Sequence, residues 1–275
     1  SDLKYDISFK LLNYTFIVRS LLVGSLFSVF AAFLGNFLVA GKRANMSDML
    51  SHFSLAGVGL GIFLGGGVGF LPIGFSLLAG FSLYFLSNKS NLNKEAFNVL
   101  ILSLGLALAI FFVNMSPSSN VSLETYLFGS ILTISKSEVW MISSFILIAF
   151  GILLFNYQKL VGLVFDPDFL KSQFKKVKKY ELILMAVTSI FVAISLKIVG
   201  GLLVSAFLII SVLSAQQISS SFKHSILLSI GFNLLSTISG IILSFYYNIP
   251  TSSAIIFVLS GIFILTLIYK RYVQN

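Results

Sequence analysis

The chain has 275 residues, 57% of them hydrophobic and only 10% charged, with a mean hydropathy of +1.01. That excludes an ordinary soluble domain and points to a polytopic, all-α membrane protein, since a membrane β-barrel would read as short alternating segments. The absence of cysteine rules out disulfides and thiolate zinc sites, and the net charge of +9 is accounted for by membrane topology rather than by a nucleic acid.

Residues 1–13 are polar and mixed and read as a short interfacial segment. No cleavable signal is expected there, because no basic stretch precedes an apolar run. The remainder, 14–275, reads as one transmembrane domain. Nine apolar segments follow, at about 14–39, 50–70, 72–86, 96–113, 138–155, 181–198, 201–218, 225–247 and 252–269. Those at 72–86 and 201–218 are short, so eight full spans and a broken helix fit equally well. Glycines from Gly57 to Gly69 are assigned to the second segment, where small residues allow close helix packing. Thirteen of the 18 Lys and Arg residues fall on one side of the alternating loops, among them Lys42, Arg43, Lys89, Lys94 and the run from Lys171 to Lys179. The positive-inside rule then puts the 156–180 loop and the C-terminus in the cytoplasm and the N-terminus outside. The basic run also suits anionic lipid head groups.

Asp48 and His52 stand at the start of the second, glycine-rich segment. Their i, i+4 spacing puts both on one helical face. Ionisable groups in hydrocarbon cost a few kcal/mol on insertion scales, so they mark a polar path or a partner. Carboxylate oxygen and imidazole nitrogen are also ligands for zinc and manganese. The plainer alternative is a carboxylate at a helix start and an interfacial histidine. Two ligands do not complete a tetrahedral site. Water, a second copy of the chain, or Asn45 on the same face would supply the rest. No Gly-rich phosphate loop is present: Gly41 and Lys42 are followed by Arg43. ATP, if used, must be bound by another protein, and no catalytic apparatus is expected.

Three stretches together resemble the permease subunits of ATP-binding-cassette importers for zinc and manganese, the ABC-3 family. They are Ser47–Val58, with Asp48, Ser51, His52 and Gly57; Leu123–Leu132, with Glu124, Tyr126 and Gly129; and Val199–Ile210, with Gly200, Gly201 and Ser205. The segment Asn248–Ile255, with Pro250, matches the family's last loop and helix. The resemblance implies a bundle of the type II importer kind with eight or nine spans, in the bacterial inner membrane. It also implies a homodimer with the path on its two-fold axis, no resident cofactor, and a zinc or manganese ion as cargo. Separate ATPase subunits would grip the cytoplasmic stretch at Asp166, Pro167, Asp168 and Phe169. An extracytoplasmic metal-binding protein would dock on the outer loop near Glu124 and Tyr126. Zinc is favoured over manganese. A metal-chelate permease and a proton-coupled transporter using Asp48 and His52 as a relay remain as alternatives.

Overall fold

A computed structural model of the chain describes residues 15–65, 68–89, 93–116, 123–129, 134–173 and 177–273. The expected interfacial segment at 1–13 lies outside these residues. The chain forms α1 (Thr15–Ala40), α2 (Met46–Phe63), α3 (Leu71–Lys89), α4 (Lys94–Met115), α5 (Glu124–Phe128), α6 (Lys136–Phe155), α7 (Tyr157–Phe165), α8 (Pro167–Gln173), α9 (Val177–Ile198), α10 (Gly201–Ile218), α11 (Phe222–Tyr247) and α12 (Thr251–Val273). No strand occurs among the described residues.

Local signals set many of the boundaries. Ser135 caps α6 in a capping box with Glu138, Asn93 accepts from the Glu95 N–H at the start of α4, and Ser221 accepts from the His224 N–H at the start of α11. Pro167 opens α8, where its missing N–H costs nothing. Asn248 closes α11 in the left-handed region at φ 52°. α10 runs unbroken through Ser211 and Ser214, whose hydroxyls bond back to the Phe207 and Ile210 carbonyls.

Among the described residues, seven helices are long and apolar enough to cross a membrane: α1, α4, α6, α9, α10, α11 and α12. The expected eight or nine spans are therefore not reached on length and apolarity alone. α3 has a shorter apolar stretch, Leu71–Leu86, and α2 is diluted by serines, Asp48 and His52. The glycine run differs from its sequence assignment. α2 ends at Phe63, and Gly65 and Gly69 lie beyond it at φ 67° and 50°. They make the turn into α3, a conformation that side chains disfavour.

α1, α9, α10 and α11 build the core around phenylalanines. Phe27 stacks on Phe191 at 4.5 Å between centroids, and Phe30 meets the same ring edge-on at 4.9 Å. Each such pair contributes about 0.5–1.5 kcal/mol beyond its burial. Polar side chains bond across the core: Asn36 receives the Ser225 hydroxyl and donates to Ser229, and Asn233 donates to the carbonyls of Ser28 and Phe207 while its own Oδ1 has no partner. The outer surface is apolar. Leu147, Phe155, Phe257 and Leu265 are all well exposed, which is stable only in lipid.

α2 sits in the middle of this arrangement, packed along α4 and α3 and touching α9 and α10. Three contacts bring backbones together through glycine. A Cβ on Gly57 would lie 2.6 Å from the Leu71 carbonyl oxygen, one on Gly59 would lie 2.8 Å from that of Ala109, and one on Gly105 would lie 2.6 Å from the Phe53 Cα.

Candidate functional site

The surroundings of α2 place its ionisable pair. Ser51 faces the start of α10, its Cβ 3.4 Å from where a Gly201 Cβ would be, and Gly59 faces α4. At 100° per residue, Asp48 and His52 project about 60° and 100° around the helix from Ser51. Gly59 lies at about 80° on the same scale, so both point to the α4 side of the helix, and both are half-buried. Met46, Met49 and Leu50 on the other faces are sealed. The structure thus keeps Asp48 and His52 half-buried on one face of an enclosed helix. The His52 Nδ1 is buried there with no hydrogen-bond partner.

Asn45 stands just before α2, exposed, and its side chain makes no capping bond. Among the described residues no group of three or more His, Cys, Asp and Glu assembles within the chain. Asp48 and His52 therefore stand as a pair, with no third His, Cys, Asp or Glu beside them among the described residues.

α5 roofs the pair. Leu123, Tyr126 and Leu127 pack against Leu55 of α2, Ala109 of α4 and Leu196 of α9. Two glycines make this insertion possible. Gly129 (φ 61°, ψ −179°) and Gly200 (φ 87°, ψ 146°) lie back to back, and a Cβ on either would strike the other's backbone. Ser252 at the start of α12 ties them down, its hydroxyl donating to the carbonyls of Phe128 and Val199. Glu124 is exposed on α5, while Tyr126 is half-buried in the wall of a pocket of about 550 Å³. Burial pushes the Tyr126 hydroxyl above its usual range, partly offset by nearby Lys197, so the phenol stays neutral. Lys197 and Glu138 pair at 2.7 Å in the same wall.

On the opposite side, α7 and α8 form the 156–180 loop. Asp166, Pro167 and Asp168 are exposed around the start of α8, and Phe169 lies in its first turn. α8 is anchored by buried Leu170, whose Cδ1 lies 3.0 Å from where a Gly162 Cβ would be. α7 is anchored by Tyr157 against Phe37 and by Phe165 against Phe222 of α11. Lys159 lies 5.2 Å from the Tyr180 ring.

Sequence reasoning missed one pair entirely. Arg43, just before α2, forms an ion pair with Glu181 in the first turns of α9. Tyr84 and Asn98 line the same pocket of about 40 Å³. The partners are 138 residues apart, so no local pattern signals them.

An apolar-skinned helical bundle that keeps an acid and an imidazole half-buried on an enclosed helix is a membrane protein with a polar spot inside it. The family described as the ABC 3 transport family matches residues 13–270. The chain belongs to that family. It is 29% identical over 252 residues to the high-affinity zinc uptake system membrane protein ZnuB of Haemophilus influenzae, covering 92% of this chain and 96% of that protein. It is 24% identical to the manganese transport system membrane protein MntC of Listeria monocytogenes, covering 94% and 92%. Among solved structures it matches a chain of PsaBC from Streptococcus pneumoniae in complex with Fab, with a TM-score of 0.85, 23% identity and 98% of each chain covered. With its apolar helices, this makes the chain a multi-pass protein of the bacterial inner membrane.

Proposed function

We propose that the chain is the membrane permease subunit of an ATP-binding-cassette importer for a divalent transition metal, zinc foremost and manganese next. The observation that carries this is the half-buried Asp48–His52 pair on one face of the enclosed helix α2. Zinc is favoured because the zinc-uptake relative is the more similar of the two named above, 29% against 24% identical. Two half-sites facing each other across a homodimer axis would supply four ligands, with Asn45 at the edge. A site of that kind holds an ion weakly enough to pass it on.

In this reading α2 and α3 also cross the bilayer, giving nine spans. Separate ATPase subunits grip α8 around Asp166, Pro167, Asp168 and Phe169. A metal-loaded binding protein docks outside near Glu124 and Tyr126. Lipid covers the apolar belt. ATP-driven closure of the ATPases moves α7 and α8, and the bundle opens the Asp48–His52 flank first to one side and then to the other.

Metal uptake into proteoliposomes holding the permease with its ATPase and binding protein tests this. Loss of an outer-sphere partner of a metal ligand costs 10–100-fold, so loss of a direct ligand in Asp48→Asn or His52→Ala should cut uptake by roughly 100-fold or more. Membrane insertion and ATPase binding should persist. Uptake by both variants at the wild-type rate rejects the site.

A further inference from the structure

The buried hydroxyls of this bundle follow a rule, and two exceptions lie beside the candidate site. Thr188, Ser211, Ser214 and Thr237 each donate to the carbonyl four residues back, and Ser28 and Ser229 donate three back. Such back-bonding is how a hydroxyl is satisfied in an apolar helix. Ser51 is 3% exposed, yet its Oγ has no partner, and the Ser205 Oγ is likewise buried and unpaired. Ser51 lies three residues after Asp48 and next to His52, and it faces Gly201 of α10. Ser205 lies one turn beyond Gly201 on the same face of α10. The His52 Nδ1, about 100° around α2 from Ser51 on the α4 side, is a third unpaired polar atom of the same helix turn. A third unpaired hydroxyl, Ser189, faces Gly80 of α3 instead.

We propose that Ser51 and Ser205 hold the water shell of the cation as it passes Asp48 and His52. This rests on the proposed function and adds residues to the same site. A divalent ion with few protein ligands keeps several waters, and the ion's charge makes their O–H groups strong donors. They need acceptors. The two carboxylate oxygens of Asp48 are too few, and hydroxyls that make no helix bond supply the rest. A hydroxyl left unpaired in hydrocarbon is costly to keep, which fits groups whose partner travels with the cargo.

The test uses the complete transporter with ATPase and binding protein in proteoliposomes. Ser51→Ala/Ser205→Ala should lower the saturating uptake rate of zinc chloride or manganese chloride by about tenfold, the worth of a hydrogen bond to a charged partner. Basal ATP hydrolysis should be unchanged. The chain has no cysteine, so Ser205→Cys carries a single thiol. That thiol should react with a charged, water-soluble methanethiosulfonate, and added zinc or manganese should slow the reaction. A double alanine variant that transports at the wild-type rate overturns the proposal. So does a Ser205→Cys thiol that is inert, or that reacts equally with and without metal. If the wild type moves neither metal, the proposed function fails as well, and the two failures are told apart.

Discussion

Glycine at two positions is enforced by geometry rather than preference. Gly129 occupies backbone space that other residues enter at a cost of about 1–3 kcal/mol, and Gly200 also has a positive φ. Each would also drive a methyl group into the other's backbone. Gly129→Ala and Gly200→Ala should therefore each lower the thermal midpoint of the purified permease by several degrees, whereas Gly231→Ala, in open space within α11, should not. Equal midpoints for all three variants would contradict the tight junction. At this scale the sequence was most legible where charge met hydrocarbon: Asp48 and His52 stand out because nothing else in their segment titrates. Ser51 read only as part of a motif, with no role of its own, since an unpaired hydroxyl is visible only once its missing bond is known. Arg43 read as a topology signal, because its partner arrives from the far half of the chain.

The helices themselves were largely readable. Segment positions agree with α1, α4, α6 and α9–α12 to within a few residues, because long apolar runs leave little choice. The glycine turn after Phe63 was not, since a Gly-rich stretch within an apolar run looks like helix until φ is seen. α5 and α7 were read as loop, being too short to show a period. Whether α2 and α3 cross the bilayer can be decided by labelling. In the nine-span arrangement Phe70→Cys, in the exposed turn between them, should react with a membrane-impermeant maleimide from outside. Ser220→Cys, at the α10–α11 junction, should react only after the membrane is opened. Phe70→Cys reacting only from within would make α2 and α3 a re-entrant hairpin. The Arg43–Glu181 pair ties the start of α2 to α9, the helix that follows α8. Half-buried pairs fall between surface and buried values, so Arg43→Gln should destabilise by about 1–3 kcal/mol in a thermal-shift assay. The exchange Arg43→Glu/Glu181→Arg should recover most of that; no recovery would mean that the two charges act separately.

For the molecule as a whole, the proposed site asks for a second copy. Among the described residues no third His, Cys, Asp or Glu joins Asp48 and His52, and Asn45 lies exposed just before them. If two copies face each other across that site, Asn45→Cys should be joined between copies by a short bis-maleimide. Trp140→Cys, on the exposed lipid-facing side of α6, should not. Equal cross-linking at both positions would rule out the proposed axis. Partner surfaces of this kind leave little trace in one sequence, because a residue that meets its own copy looks like any other exposed polar group.

The three glycine contacts around α2 have a mechanical implication. Where main chains touch, no side chain stands between to flex, so α2 cannot roll in its seat without prising α3 and α4 away. Whatever shifts the acid and the imidazole must carry all three rods as a single slab. The hinge then belongs at the slab's margins, and a bulky residue wedged inside it would block that motion without touching either side chain.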